Sequence, residues 1–262
     1  MKNILSAIWS EGLKVRRSKI LWLTILFYLF IPLMIGVLIF VQKNPEISSK
    51  LGLIGMKSTM LSFGEANWFV YFGLFDQLIS AIGIVGFGFV TSWVFGREYS
   101  DRTVGDLLAL PTSRSSIILS KFIIVVIWCL LLSFILFAFG LVVGKMIQLS
   151  GWSGEIVFHQ SVRFTITALL VVLLCTPVAF FASYGRGYLL PIGFVILTLI
   201  TAQFIGLIGL APYFPWAIPA LYSGAAGTES EQIGMVSYLI LFLTGIFGFI
   251  ATMAWWRYAD QY

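Results

Sequence analysis

Charged residues are scarce in this chain: they make up 10% of its 262 residues, whereas hydrophobic residues make up 60%. A soluble domain carries about 25% charged residues, so this chain has too few to cover a water-facing surface. The same composition excludes intrinsic disorder, and a net charge of +5 is spread too thinly to form a nucleic-acid groove. We therefore expect an all-α membrane protein in one transmembrane domain, residues 1–262, with no nucleic-acid partner.

Side chains that carry catalysis or bind metals are also scarce, since the chain has one His and two Cys. No Cys or His cluster with metal-ligand spacing exists, and we interpret Cys129 and Cys175 as apolar packing residues. Residues 140–146 come nearest to a phosphate-binding loop, but they are one residue too few and lack the Ser or Thr that binds magnesium. We expect Gly140 and Gly144 to pack against a neighbouring helix, and we predict no catalytic, metal or cofactor site in this chain.

Long apolar runs are abundant instead. A membrane-spanning helix needs about 20 mostly apolar residues, and six segments of the chain satisfy this length. Asp76, in the second segment, is the one formal charge inside a span. We predict six transmembrane helices over residues 20–41, 68–95, 122–143, 164–184, 188–210 and 233–256.

Basic residues predict the orientation of these spans, because cytoplasmic loops are enriched in Lys and Arg. With the N-terminus inside, most of the 16 basic residues fall on the inner side. The last outer loop, residues 211–232, contains two Glu and neither Lys nor Arg. We therefore expect both termini to be cytoplasmic.

The N-terminal segment, residues 1–19, has apolar residues at helical spacing on one side and polar residues on the other. This pattern predicts an amphipathic helix in the inner membrane interface, with its basic end towards anionic lipid. The helix serves either as a topology anchor alone or also as part of a docking surface for a cytoplasmic partner. Its polar residues include Glu11, Lys14, Arg16 and Arg17.

A second unusual cytoplasmic stretch joins the second and third spans, and it is rich in charge between Arg97 and Arg114. Within it, Val104 with the Leu residues that follow predicts one to two turns of amphipathic helix, which Pro111 ends. Thr112 and Ser113 are then available to cap the next helix. A short helix joined rigidly to two spans is suited to act as a lever, whereas the alternative is an ordinary charged loop.

The residues of this stretch carry a family resemblance. They resemble the pattern of ABC type-2 exporter permeases, in which an acidic residue precedes a Thr, an apolar pair, a Pro, Ser-Arg and a Lys. The chain departs from the pattern at Arg102, where such permeases often have Gly, and at Val104, where Leu is commoner. The matching residues are Glu98, Thr103, Leu107 with Leu108, Pro111, Ser113 with Arg114, and Lys121.

The resemblance implies a non-catalytic permease subunit of an ATP-driven exporter in the bacterial cytoplasmic membrane. MgATP is then bound by separate cytoplasmic ABC ATPase subunits, and a second copy of the chain or a different permease completes the pore. The resemblance also implies a cytoplasmic coupling helix between spans two and three and a partly re-entrant outer segment, residues 211–222, between spans five and six. The residues implied to couple the chain to the ATPase are Glu98, Asp101, Arg102, Thr103, Asp106, Leu107, Leu108, Pro111 and Arg114.

The mechanism implied by the resemblance is a mechanical stroke. Two ATPase subunits close on ATP and push on the coupling helix around residues 101–110, and the region of Glu98 passes the motion into spans two and three. The two permease halves then alternate between inward and outward exposure of a cavity. We expect Glu98 to hold the N-terminal helix through Arg16 or Arg17.

The expected cargo follows from the apolar residues available to line such a cavity. Phe, Leu, Ile and Gly suit an amphipathic or lipid-like cargo. The family resemblance implies that the exported molecule is an antimicrobial peptide, an antibiotic or another hydrophobic compound. Asp76 either contributes to the cavity or is a hydrated or paired structural residue. The alternative functions are an ion-gradient-driven secondary transporter or channel, which usually has several intramembrane carboxylates, and a non-transporting membrane scaffold.

Overall fold

The computed structural model describes residues 2–44, 66–109, 112–224 and 233–258. These residues are almost entirely helical, and among them the only β-structure is an isolated bridge between Asn67 and Ser150. A 3-10 turn, Ala211–Tyr213, lies between the eighth and ninth α-helices. The α-helices are α1 (Lys2–Arg16), α2 (Lys19–Lys43), α3 (Trp68–Ser100), α4 (Val104–Leu108), α5 (Arg114–Met146), α6 (Gly154–Leu173), α7 (Cys175–Tyr184), α8 (Leu189–Leu207), α9 (Ile218–Tyr222) and α10 (Met235–Tyr258).

Six helical units are long and apolar enough to cross a membrane: α2, α3, α5, α6 with α7, α8 and α10. Helices satisfy every backbone N–H and C=O within the segment, which hydrocarbon surroundings require. Several of these helices continue past the predicted apolar segments: α3 reaches Ser100, α5 begins at Arg114 and α6 begins at Gly154. Hydropathy marks only the part suited to lipid, so charged residues expected in a loop lie instead on the helical extensions.

Side-chain caps determine where several helices begin. The Ser18 hydroxyl accepts a hydrogen bond from Leu21 N at 3.3 Å, and the Asn67 side chain accepts one from Val70 N at 2.9 Å. Of the two predicted caps, Thr112 and Ser113, the structure uses Ser113, whose hydroxyl accepts from the backbone N of Ser116 at 3.2 Å. Each cap satisfies one of the backbone donors that a helix start leaves free.

Helix α3 is the centre of the bundle, packing against α5, α6, α7 and α8. The predicted packing of the two α5 glycines is confirmed: a Cβ at Gly140 would overlap Phe75, and one at Gly144 would overlap Trp68 and Tyr71. The Tyr71 hydroxyl donates a hydrogen bond to Gly140 O at 3.0 Å. Small residues therefore allow the N-terminal half of α3 and the C-terminal half of α5 to approach closely.

Helices α7 and α10 form the second close helix pair. The Thr176 hydroxyl donates to Gly245 O at 2.6 Å, and a Cβ at Gly248 would overlap the backbone of Thr176 and Pro177. Cys175, at the start of α7, and Cys129 in α5 are both buried free thiols, as their interpretation as packing residues requires. This side of the bundle therefore depends on backbone-to-backbone packing at Gly248.

We expect Gly248→Ala to lower the free energy of unfolding in detergent by about 1–3 kcal/mol, because the added methyl meets backbone that cannot rotate away. Gly193→Ala on α8 is the matched control, since a Cβ there meets nothing within 4 Å. That control should be neutral, or stabilising by up to about 1 kcal/mol through helix propensity. Equal losses for the two variants in chemical denaturation would contradict the packing account.

The least buried span is α8, which exposes large apolar side chains such as Leu197, Phe204 and Leu207. Residues 211–222 follow it as the 3-10 turn and α9, separated by residues 214–217. The three prolines of that segment thus coincide with an interrupted helix, as proline chemistry requires. Helix α1 packs along α5, which returns the N-terminal segment to the same end of the bundle as α4.

Candidate functional site

Four charged side chains from three helices meet at the end of the bundle that carries α1 and α4. Glu11 and Lys14 come from α1, Glu98 from α3 and Lys121 from α5, and we refer to these four residues as the charge cluster. Lys121 is fully buried, and Glu11 and Glu98 are buried to more than nine-tenths. Charged side chains are almost never buried so deeply unless they are paired, so their mutual contacts decide whether this arrangement is stable.

Lys121 is at the centre of the charge cluster. Its Nζ lies 3.1 Å from Glu11 Oε2 and 3.2 Å from Glu98 Oε1, and it donates a third hydrogen bond to Val94 O at 3.0 Å. An ammonium has three N–H donors, and all three are therefore used. Lys121 thus links α1 to α3 and holds both on α5.

Lys14 completes the charge balance from the more exposed side. Its Nζ lies 2.7 Å from Glu11 Oε1 and 2.8 Å from Glu98 Oε1, so two ammonium groups face two carboxylates. Burial lowers the pKa of Lys14, but the charges and hydrogen bonds of Glu11 and Glu98 raise it, and the net pKa lies above its ordinary value. The stabilisation by this charge is therefore complete at neutral pH and is lost only as pH rises through the raised pKa.

Thr103 connects the charge cluster to α4. Its hydroxyl donates to Glu98 Oε2 at 2.7 Å and its backbone N donates to Glu98 O at 2.9 Å. Thr103 immediately precedes α4, and its hydroxyl does not cap that helix because it is bonded to the carboxylate. Val104 is buried and Leu107 packs against the core, so α4 is fixed to the bundle by one polar and two apolar anchors.

Comparison with known proteins identifies the family to which the chain belongs. The family described as ABC-2 family transporter protein matches residues 7–204 of the chain, a range that includes the whole charge cluster, Thr103 and α4.

The chain belongs to the ABC-2 transporter family.

The family resemblance inferred from the coupling stretch is thereby confirmed, and the chain is a multi-pass membrane permease of an ABC transporter. It is also similar to the bacitracin transport permease protein BCRB of Bacillus licheniformis. The two sequences are 28% identical over 184 residues, which is 70% of this chain and 88% of the relative. Permeases of this kind are the transport components of ABC systems and do not carry the catalytic site.

The other residues predicted to couple the permease to an ATPase lie around α4. Arg102 and Asp106 are exposed, and Arg102 has a positive φ of 57° at the turn between α3 and α4. Asp101 pairs with Arg97 Nε at 3.3 Å. Arg114 donates to the backbone oxygens of Trp256 and Arg257, each at 3.2 Å, and so ties the start of α5 to the end of α10. Pro111 and the side chain of Leu108 lie outside what the structure describes.

The expectation that Glu98 holds the N-terminal helix through Arg16 or Arg17 is wrong, because Lys14 makes this contact. Lys14 shares a helix face with Glu11, three residues before it, and that face packs on α5. Arg16 and Arg17 are on the exposed side of the chain at the end of α1. Glu98 of α3 does contact α1, as expected, but the rotation of α1 about its axis places Lys14 and not Arg16 or Arg17 against it.

Lys121 matches the permease pattern but was not predicted to be a site residue. The available signal was a single lysine followed by more than 20 residues without a charge. Such a lysine needs either water or a carboxylate partner. Because the partners come from Glu11 and Glu98, far away in sequence, local pattern alone did not pair them.

Asp76 is buried in α3, and its Oδ2 lies 3.7 Å from Arg163 Nε on α6. Asp76 Oδ2 has no hydrogen-bond partner among the described residues, and Asp76 borders neither the cleft of about 580 Å³ nor the one of about 420 Å³, so both of its predicted roles stay predictions. Arg163 faces a cleft of about 580 Å³ near α9, beside His159 and Tyr222. No group of three or more His, Cys, Asp or Glu in the described ranges is arranged to hold a metal.

We expect Thr103→Val to lower the permease's free energy of unfolding by about 1–3 kcal/mol, because a hydrogen bond to a buried carboxylate is lost. Thr103→Ser keeps the hydroxyl and should remain within about 0.5 kcal/mol of the unmodified protein. Chemical denaturation in detergent measures both changes. If Val and Ser at this position were equally destabilising, the hydroxyl would not be the link to Glu98.

Proposed function

We propose that this permease exports an amphipathic or hydrophobic substrate, driven by MgATP that separate cytoplasmic ABC ATPase subunits bind and hydrolyse. The observation that carries the proposal is the buried charge cluster, which joins α1, α3 and α5 and reaches α4 through Thr103. A solvent-exposed loop needs no such anchoring. A short helix that transmits force does, because a push on it must move the spans and not only the loop.

Helix α4 has two faces that suit the two tasks of a coupling helix. Val104 and Leu107 attach it to the bundle, whereas Gly105 and Asp106 are exposed and available to a cytoplasmic partner. In the proposed stroke, closure of the ATPase subunits displaces α4. The displacement passes through Thr103 to Glu98, and the two lysines of the charge cluster carry it into α5 and α1.

The orientation follows from the same proposal. The end of the bundle with α1 and α4 faces the cytoplasm, which places both termini inside, and α1 lies along the inner interface of the bacterial cytoplasmic membrane. Residues 211–222 then belong to the outer side, where the interrupted helix forms a partly re-entrant segment. The basic residues of α1 and its exposed apolar Leu5 and Trp9 support this placement.

The substrate path is proposed to run along α3 and α8. A cleft of about 420 Å³ opens between these helices and residues 211–221, and it combines the polar Gln77, Ser80 and Gln203 with Trp216 and small apolar side chains. Such a lining suits an amphipathic cargo, such as an antimicrobial peptide, an antibiotic or a lipid-like molecule. The name of the bacitracin permease relative supports this substrate class. The exposed apolar face of α8 is where a second copy or a different permease completes the pore.

The experiment that tests the proposal is gentle purification of the tagged permease from its native host, followed by reconstitution of what co-purifies into liposomes. The expected result is an ABC ATPase identified by mass spectrometry, with MgATP-dependent movement of a hydrophobic probe such as a fluorescent lipid-like dye. Purification of the permease alone, with flux driven by an ion gradient and unaffected by ATP, would establish a secondary transporter instead. An absence of any flux under both conditions would favour a membrane scaffold.

A further inference from the structure

A basic groove of about 640 Å³ lies beside the charge cluster and shares only Lys14 with it. It is formed by the junction of α1 with α2 and by the last turns of α3. This groove is distinct from the exposed face of α4 that the proposed ATPase contact uses. The side chains that define it are Leu13, Arg17, Lys19, Ile20, Trp93 and Arg97.

The charges around the groove do not balance. Lys14, which also borders it, is neutralised by Glu11 and Glu98, and Arg97 is paired with Asp101, the one carboxylate among the residues that line the groove. Arg17 and Lys19 are exposed, and neither has a carboxylate within ion-pair distance among the residues that the structure describes. Two cations that share one groove without counter-charges indicate an anionic ligand.

The groove also has an apolar and aromatic side. The Arg97 guanidinium lies 5.0 Å from the centre of the Trp93 ring, which forms one wall, and Leu13 and Ile20 add aliphatic surface. Ile20 belongs to the first turn of α2, a membrane-spanning helix, so the groove is at the level where that span meets the membrane surface. Trp at this level is typical of the interface between headgroups and acyl chains. A ligand with an anionic head and an apolar body fits both sides.

We propose that this groove binds the phosphate of an anionic phospholipid headgroup, with Arg17 and Lys19 as its cationic ligands and Trp93 against the start of the acyl chains. The bound lipid bridges the α1–α2 junction and the end of α3. It thereby restrains the element that contributes Glu11 and Lys14 to the charge cluster. Anionic lipid in the inner leaflet then sets how firmly α1 is held during the transport cycle.

Native mass spectrometry of the full-length, delipidated permease in detergent tests this proposal. The probes are phosphatidylglycerol and phosphatidylcholine with identical acyl chains, and inorganic phosphate alone. The unmodified protein should bind the first phosphatidylglycerol about fivefold more tightly than phosphatidylcholine or better, and Arg17→Gln and Lys19→Gln should each weaken that binding about fivefold. Arg16→Gln removes the same charge from the neighbouring exposed position outside the groove, so it should change the affinity less than about twofold.

Three outcomes would overturn the proposal. Equal affinity for the two lipids would show that the groove does not recognise the anionic headgroup. An equal loss for Arg16→Gln and Arg17→Gln would indicate a diffuse basic surface and not a site. Saturable binding of inorganic phosphate that excludes the lipid would assign the groove to a soluble anion. The variants should unfold at the same temperature as the unmodified protein, which shows that a loss of lipid affinity comes from the groove and not from a disturbed fold. None of these outcomes depends on the proposed ATPase or cargo.

Discussion

Lys121→Met is expected to destabilise the permease by about 3–5 kcal/mol, because it leaves two buried carboxylates with one cation between them. The substitution also removes the partner of Val94 O, so three buried acceptors lose a donor at once. Methionine keeps most of the side-chain volume, and the loss therefore reports charge and hydrogen bonding more than packing. Chemical denaturation in detergent, followed by circular dichroism, measures it.

Lys145→Met is the matched control, since Lys145 is an exposed lysine near the other end of the same helix, with its Nζ over the Trp152 ring. It should cost no more than about 1 kcal/mol. The double variant Lys121→Met with Glu98→Gln removes one charge of each sign and leaves Glu11 paired with Lys14. Its loss should be smaller than the sum of the two single losses by about 1–3 kcal/mol. Strict additivity, or equal losses at Lys121 and Lys145, would refute the charge cluster as an energetic unit.

Gly105→Trp is expected to abolish capture of the ATPase while the permease itself stays folded. A Cβ at Gly105 meets nothing within 4 Å, and the residue is exposed on α4, so an indole there projects away from the bundle. A bulky group in the middle of a docking surface excludes the partner by steric overlap. We expect the amount of ATPase that co-purifies to fall at least about tenfold, with no drop in the temperature of unfolding.

Gly154→Trp provides the control for that experiment. Gly154 also has open space around its Cβ, but it begins α6 at the opposite end of α3 from α4. ATPase capture by this variant should match the unmodified permease. Normal capture by Gly105→Trp, in a protein that still transports, would show that α4 does not receive the ATPase.

The membrane architecture could be predicted from the sequence because it depends on local composition. Six apolar runs of sufficient length correspond to six helical units, and Ser113 begins α5 where the turn residues indicated. The short helix after Thr103 could also be predicted, since Val104 and Leu107 face the bundle as the amphipathic pattern requires. Each of these features is determined by residues within a few positions of one another.

The charge cluster was beyond such local patterns. Lys121 and Glu11 are separated by 110 positions, and their contact depends on α1 returning along α5. Whether Lys14 or Arg17 reaches Glu98 depends on the rotation of α1 about its axis, which its packing on α5 determines. Hydropathy also ended the second span before Glu98, although α3 continues as a helix to Ser100. Tertiary contacts, and not propensity, decided the first two points, whereas the third arose because hydropathy marks only the part of α3 that suits lipid.

The most direct test of the central claim is site-specific photo-crosslinking in cells of the native host, with a benzophenone amino acid in place of Asp106. This residue is on the exposed face of α4, and the same probe in place of Glu155, exposed at the other end of the bundle, is the reference. The account predicts a covalent adduct with an ABC ATPase from position 106 and none from position 155. The absence of an ATPase adduct at 106 in cells that still export substrate, or equal adducts at both positions, would contradict it.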